Sequence, residues 1–179
     1  MEGLKRGTVA VVPHDSRWQE EARQCMDVLK KILGNDAAGM EHVGSTAIPG
    51  ICAKPIVDIA VAVGDLQDML KHNEALEEQG FYYRGQDHEG QLLYLCGDLE
   101  KDTRTHHIHV VLTESQAWKN YRNFRDYMNS HPEEAKAYAQ LKEDLAAKYA
   151  EDRKAYTAGK QEFIDDVLRK AEEWRKEVL

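Results

Sequence analysis

The residue best placed to do chemistry is Asp58, an acid inside the strongly apolar segment 54–63, KPIVDIAVAV. A carboxylate in such a run is costly to bury unless it is paired, hydrogen-bonded or bound to a metal ion. Thirteen positions before it comes Gly44-Ser45, where the glycine permits close backbone approach and the serine adds a hydroxyl donor. This combination predicts a phosphate-holding turn beside a metal-binding acid, as phosphoryl or nucleotidyl transfer requires. The alternative is an ordinary turn and a structural acid that holds a loop.

The other candidate ligands are two histidines in the segment 106–112, HHIHVVL. His107 and His109 are two positions apart, so on a β-strand they share one face. Two such imidazoles can chelate one metal ion, bind phosphate or move protons. We therefore expect Asp58, His107 and His109 to form a catalytic centre that holds one divalent ion (Mg²⁺, Mn²⁺ or Zn²⁺) or transfers protons. The alternative is a half-exposed strand with incidental histidines.

Donors for a phosphorylated ligand lie around these residues in the sequence. The loop after the Gly-Ser turn offers backbone amides and hydroxyls, and nearby cations can neutralise phosphate. The candidate ligand-binding residues of this region are His42, Gly44, Ser45, Thr46, Lys54 and Arg104. His42 could instead bond only the backbone, and Lys54 and Arg104 could be solvated surface charges.

Composition limits the class of ligand and partner. The 179 residues, 42% hydrophobic and 31% charged, are expected to form one domain over residues 1–179. The net charge of −8 makes attraction to a nucleic-acid polyanion unfavourable, whereas a nucleotide or another small phosphorylated molecule suits a local basic pocket. No apolar run approaches the roughly 20 residues that span a bilayer. The N-terminus also lacks the pattern of a signal peptide, so we expect a cytoplasmic protein without a membrane partner.

The three cysteines give no sign of a covalent framework. Cys25, Cys52 and Cys96 are odd in number and widely spaced, which argues against both a disulfide scaffold and a thiolate zinc site.

Apolar periodicity predicts helices and short strands that alternate until a helical C-terminal third. Residues 8–12 form a β-like run, and the segment 54–63 is typical of a central strand buried on both faces. The other predicted strands are 39–43, 81–83, 91–96 and 106–112. The predicted helices are about 16–33, 66–79, 116–130, 132–149 and one that starts at Thr157. This order predicts an α+β (α/β) domain with a small mixed sheet flanked by helices.

Four segments, taken in order, closely resemble the GrpB family of small bacterial proteins. They are HVGSTAIPGICAKPIVDI, HHIHVV, NFRDYM and YTAGKQEFI. The resemblance covers nearly the whole chain, from about residue 12 to residue 171. It implies a nucleotidyltransferase-like fold of the polymerase-beta type and a bacterial cytoplasmic setting.

The resemblance also implies roles for particular residues. Gly44 and Ser45 match the Gly-Ser turn of that superfamily, and Asp58 matches its first strand carboxylate. Ala60 departs from the usual second carboxylate, and His109 falls near the place of a third acid. Both departures argue against a standard two-metal mechanism.

Two residues of the helical motifs are implied as ligand binders. Arg125 in NFRDYM and Lys160 in YTAGKQEFI are candidates to bind phosphate or carboxylate across a cleft, with helix-surface ion pairing as the alternative.

Three functions are compatible with these residues. The leading hypothesis is a nucleotidyltransferase-like protein that binds a nucleotide or phosphorylated small molecule, with metal-dependent nucleotidyl or phosphoryl transfer. A second is a metal-dependent phosphoester hydrolase that uses the same Asp and His residues. A third is a catalytically degenerate protein that binds a ligand or regulates a partner, a hypothesis that the missing acid at Ala60 favours.

Overall fold

The computed structural model describes residues 1, 3–88 and 90–179. In this part of the chain, the strands are β1 (Leu4–Lys5), β2 (Ala37–Val43), β3 (Val57–Val63), β4 (Tyr82–Gln86), β5 (Leu92–Cys96), β6 (Thr103–Arg104) and β7 (His106–Leu112). The helices are α1 (Arg17–Leu33), α2 (Leu66–Leu70), α3 (Asn73–Glu78), α4 (Gln116–Ser130), α5 (Pro132–Lys148) and α6 (Arg153–Val178). A short 3₁₀ turn, Ser45–Ala47, follows β2.

Five strands form a mixed sheet in the order β2-β3-β7-β5-β4. β3 and β7 are parallel, whereas β2 pairs with β3, and β5 with both β7 and β4, in antiparallel fashion. β1 and β6 form a separate two-stranded ribbon. The predicted α+β fold with a small mixed sheet is therefore confirmed.

The alternation along β3 separates a core face from a site face. Val57, Ile59, Val61 and Val63 are fully buried and pack with the apolar stripe of α1. The opposite face carries Asp58 and two alanines, and α4 covers it on the side of β2, where Trp118 lies against Gly39. β3 is thus an interior strand, as its continuous apolar run predicts.

A second core lies among the C-terminal helices. Residues of α4, α5 and α6, among them Met128, Tyr138 and Val167, pack with Ile48 and Ile51 of the loop after β2. This packing brings the helical third of the chain against the loop that follows the Gly-Ser turn. No helix in the described ranges combines the length and apolarity needed to cross a bilayer.

The N-terminal half differs from the sequence prediction in two places. The β-like run 8–12 is not a strand, and only Val12 makes an isolated bridge, to Ala53. β3 begins at Val57 rather than at residue 54, because Pro55 has no N–H to donate inside a sheet.

Helix bounds differ as well. The predicted helix 66–79 is two short helices, α2 and α3. The final helix begins at Arg153 rather than at Thr157, because the carboxylate of Asp152 accepts a hydrogen bond from the Ala155 amide and caps it.

Candidate metal and phosphate site

Asp58 and the two histidines meet because of the parallel register between β3 and β7. Asp58 is paired with His107, and Ala60 with His109, and paired residues of neighbouring strands point to the same face. Nε2 of His109 lies 2.8 Å from Oδ1 of Asp58, and Nδ1 of His107 lies 3.8 Å from the same oxygen. One ligand atom from each residue lies within 4.8 Å of the other two.

The chemistry of this cluster fits a metal ion. Two ligands of a tetrahedral ion with bonds of about 2.0–2.1 Å are about 3.3 Å apart, and the two measured separations, 2.8 and 3.8 Å, lie on either side of that value. Burial lowers the pKa of His107 to about 4 despite the charge of Asp58, so its imidazole is neutral at pH 7, the form that binds metal.

The pKa of Asp58 reflects two opposing influences. Burial raises it, but the hydrogen bond with His109 and the charges of His109, His107 and Lys160 outweigh burial and hold it below its usual value. The carboxyl group is therefore ionised at neutral pH, as a metal ligand or a proton acceptor must be.

Gly44 is fixed by two independent requirements. Its φ is +72°, a region in which a side chain is strained. A Cβ atom added there would lie 2.7 Å from Oδ2 of Asp58 and 3.2 Å from its Cγ. The turn therefore needs glycine both for its backbone shape and for the close approach of the carboxylate.

A basic cavity of about 230 Å³ opens beside the cluster. We call it the basic cavity, and its lining residues are Leu4, Lys5, Arg6, Gly7, Thr8, Ser45, Thr46, Lys54, Ile56, Asp58, Arg104, His107, Lys142, Arg153, Tyr156, Thr157 and Lys160. Among the lining residues that the structure describes, seven are lysine or arginine and Asp58 is the one acid, although the whole chain carries a net charge of −8. The arrangement concentrates positive charge where an anion would lie against Asp58 and His107.

Three lysines of the basic cavity are held in an environment that disfavours their charge. Burial, reinforced by neighbouring cations, lowers the pKa of Lys54 and of Lys142 to about 8, and burial also lowers the pKa of Lys160. The ammonium groups of Lys54 and Lys160 lie 4.4 and 4.7 Å from the centre of the Tyr156 ring. A bound anion would relieve this repulsion, because it supplies the negative charge that the cavity lacks.

Two of the buried cations have partial partners. Lys142 is 2% exposed, and its Nζ donates a hydrogen bond to the carbonyl of Cys52. Arg104 is also buried and pairs with Asp102 at 2.9 Å. Each still has donor groups in excess of these partners.

A second, larger cavity of about 690 Å³ lies on the other side of Asp58. We call it the aromatic cavity, and its lining residues are Val43, Gly44, Ser45, Asp58, His88, Gln91, His109, Ala117, Asn120, Tyr121, Phe124, Tyr138, Lys160, Gln161, Ile164 and Leu168. The two cavities share Ser45, Asp58 and Lys160. The cluster of Asp58, His107 and His109 therefore lies where the two cavities meet, and His107 lines the basic cavity whereas His109 lines the aromatic cavity.

Most of the residues predicted to bind a ligand lie in these two cavities, but two do not. His42 is paired with Ile59 and so points to the core face of the sheet, where its Nε2 lies 2.8 Å from Oγ1 of Thr46. Burial lowers the pKa of His42 to about 4. Arg125 donates to Glu41 at 2.7 Å and to Asp126 at 2.8 Å, so its place is an ion-pair network between α4 and β2.

Sequence reasoning missed the residues that later helices bring to the basic cavity. Lys142 of α5, and Arg153 and Tyr156 of α6, line it together with Lys5 and Arg6 of the N-terminal segment. One signal was present, because Lys142 lies four positions after Tyr138 on the apolar stripe of its helix, where a cation is unexpected.

Comparisons with known proteins agree with this architecture. The family model described as GrpB protein matches residues 8–170. The glutamate-rich protein GrpB of Alkalihalophilus pseudofirmus is 39% identical over 171 residues, which cover 94% of this chain and 98% of that protein. The crystal structure of the conserved protein GrpB from Enterococcus faecalis superposes with a TM-score of 0.84 at 29% identity, over 90% of this chain and 96% of that chain.

A more distant likeness identifies the wider fold. The Cid1 poly(U) polymerase with MgGTP bound aligns with a TM-score of 0.53 at 16% identity, over 75% of this chain and 44% of that chain. Identity at this level concerns the fold alone, and it confirms the predicted nucleotidyltransferase-like architecture. The match over residues 8–170 and the relatives of nearly full length show that the chain belongs to the GrpB family.

Proposed function

We propose that this chain binds a nucleotide or another phosphorylated small molecule and transfers its phosphoryl or nucleotidyl group at a single-metal site. The observation that carries the proposal is that Asp58 belongs both to the Asp–His–His cluster and to the wall of the basic cavity. A phosphate held by the basic residues would therefore lie in contact with the candidate metal ligands.

The lysines supply the binding energy for the phosphate. Lys54, Lys142 and Lys160 are buried or half-buried and their pKa values are lowered by burial, so an incoming anion gains charge-assisted hydrogen bonds in a poorly solvated place. The hydroxyl of Ser45, at the start of the turn, supplies a neutral donor at the junction. These groups would hold the phosphate and orient it toward Asp58.

Asp58, His107 and His109 would hold the metal ion. One carboxylate with two imidazoles suits Zn²⁺ or Mn²⁺ better than Mg²⁺, which prefers oxygen ligands. When bound, a divalent ion would neutralise charge on the phosphoryl oxygens. The alternative use of the same residues is proton transfer through the hydrogen bond between His109 and Asp58.

A second candidate function is ligand binding without turnover. Ala60 supports it, because this residue stands next to His109, where a second carboxylate would be needed to hold two metal ions. The acid opposite Ala60 on β2 is Glu41, and it is already paired with Arg125. Hydrolysis is a third outcome, in which water accepts the transferred group.

Calorimetric titration with inorganic tripolyphosphate and ATP, each with Zn²⁺, Mn²⁺ or Mg²⁺, tests the proposal. Wild type should bind the metal and the phosphates, and Asp58→Ala should lose the metal. Equal metal binding by wild type and Asp58→Ala would remove the basis of the site.

The products then separate the candidate functions. Transfer requires that a second substrate carry the phosphoryl or nucleotidyl group, whereas hydrolysis releases it to water. Saturable binding with no turnover, with or without a second substrate, would show that the protein binds its ligand without catalysing a reaction.

A further inference from the structure

We propose that the aromatic cavity receives the nucleoside end of a substrate whose phosphates occupy the basic cavity. This assignment rests on the proposed function, because it presupposes phosphate in the basic cavity. It goes further by naming the class of substrate, a nucleoside polyphosphate, and the residues that recognise the base.

The two cavities adjoin, but they are lined by different chemistry. They share Ser45, Asp58 and Lys160, so a ligand that spanned the junction would contact both. The basic cavity has seven lysine or arginine residues, whereas the described part of the wall of the aromatic cavity has one, Lys160. A second phosphate group would gain little there, and a largely uncharged group suits the space.

Helices α4 and α6 both contribute to the wall of the aromatic cavity. α4 contributes Ala117, Asn120, Tyr121 and Phe124, which recur at spacings of three and four and so lie on one helical face. α6 contributes Lys160, Gln161, Ile164 and Leu168 in the same manner. The cavity is therefore a cleft between two rigid elements, and its volume of about 690 Å³ lies within the roughly 300–1,000 Å³ of ligand sites.

The side chains of this cleft match the two properties of a nucleobase, a flat π-surface and a polar edge. Tyr121 and Phe124 offer aromatic rings, and stacking on such a ring stabilises any of the bases. Gln91, Asn120 and Gln161 are amides, which both donate and accept hydrogen bonds and can therefore read the edge of a base. Each amide also makes one bond within the protein: Gln91 Oε1 accepts from Tyr121, Asn120 Oδ1 accepts from Gln116, and Gln161 Nε2 donates to Asp165. Each keeps further donor or acceptor capacity that the edge of a base could use and an acyl chain could not.

Tyr121 is the residue around which the cleft is arranged. Its ring centre lies 5.3 Å from that of His109, so a base stacked on Tyr121 stands next to the metal-type cluster. Its hydroxyl donates a 3.0 Å hydrogen bond to the side-chain amide oxygen, Oε1, of Gln91. This bond orients the amide so that its NH₂ group is available to a base acceptor.

The test compares inorganic tripolyphosphate with ATP, GTP, CTP and UTP, measured by calorimetry on wild type, Tyr121→Leu and Tyr121→Phe. We expect at least one nucleotide to bind wild type roughly tenfold or more tightly than tripolyphosphate, the gain typical of one stacked base. Tyr121→Leu should abolish this gain and leave tripolyphosphate binding unchanged. Tyr121→Phe should keep most of the gain and change the order of preference among the bases, because the ring remains and the bond to Gln91 is lost.

A matched control is Tyr83→Leu, which makes the same chemical change at a residue that lines neither cavity and is 40% exposed. It should bind every nucleotide as wild type does. The assignment is overturned if nucleotides bind no more tightly than tripolyphosphate, or if Tyr121→Leu weakens both equally. Failure of tripolyphosphate and nucleotides alike, with every metal, would instead overturn the proposed function and this inference with it.

Discussion

Replacement of Gly44 by alanine should weaken metal binding by the Asp–His–His cluster although none of the three ligand residues is replaced. The new Cβ would lie 2.7 Å from Oδ2 and 3.2 Å from Cγ of Asp58, distances that real Cβ atoms do not tolerate without movement. The carboxylate must therefore shift, which changes the position of Oδ1 relative to the nitrogens of His107 and His109. We expect Zn²⁺ or Mn²⁺ affinity to fall by roughly tenfold to a hundredfold, as when other supports of metal ligands are lost.

The strained backbone adds a separate cost that can be subtracted. The backbone of Gly44, with φ +72° and ψ −170°, lies in a region that is essentially restricted to glycine, and it costs an alanine roughly 1–3 kcal/mol of unfolding free energy. Gly50→Ala is the matched control, because Gly50 has φ of +84° and no atom within 4 Å of the added Cβ. Both variants place alanine at positive φ and should lose stability in urea titrations, but only Gly44→Ala should lose metal affinity in calorimetry. Equal metal affinity in the two variants would show that the contact between Gly44 and Asp58 does not support the metal site.

Three further predictions concern charge. Lys142→Met should lower tripolyphosphate affinity roughly tenfold, since a charge-assisted hydrogen bond contributes about 1.5–3 kcal/mol. Lys136→Met, a change at an exposed lysine of the same helix, should leave the affinity unchanged in the same titration. Tripolyphosphate affinity measured without metal should decline as pH rises from 7 to 9. Lys54 and Lys142 have pKa values of about 8, so across this range they lose the proton that lets them bind anions. An affinity that does not change with pH would contradict their role. Arg125→Leu should reduce the free energy of unfolding by about 1–3 kcal/mol, because it leaves the half-buried Glu41 without its 2.7 Å partner, yet tripolyphosphate affinity should not change.

The parts of the site on neighbouring strands could be predicted from the sequence. The apolar run around Asp58 identifies a buried strand, and the spacing of His107 and His109 places both imidazoles on one face. Only their meeting with Asp58 depended on the parallel register of β3 and β7. Local pattern thus predicted the residues, and the sheet topology brought them together.

The basic cavity could not be predicted in the same way. Lys142 and Arg153 lie far from Asp58 in sequence. The position of Lys142 on an apolar helix stripe indicates burial, but it does not indicate which cavity tertiary packing forms around it. His42 lies outside both cavities for a related reason, because register pairs it with Ile59 on the core face although it lies only two residues before Gly44. Arg125 is held by acids on α4 and β2, contacts that the motif alone does not reveal.

Ala60 is the residue that most limits the chemistry. Its place beside His109 leaves one carboxylate, Asp58, in a cluster that otherwise offers imidazole nitrogen. This donor set explains why we infer one metal ion rather than the two held by several carboxylates.

The most direct test of the single-metal site is a crystal structure of the protein grown with Mn²⁺ or Zn²⁺ and tripolyphosphate. We expect one metal ion bound to Asp58, His107 and His109 at roughly 2.0–2.2 Å, with phosphate oxygens on Lys54, Lys142 and Lys160 in the basic cavity. Anomalous scattering at the metal edge would identify the ion. Full occupancy of the ion elsewhere, with the basic cavity free of phosphate, would contradict it.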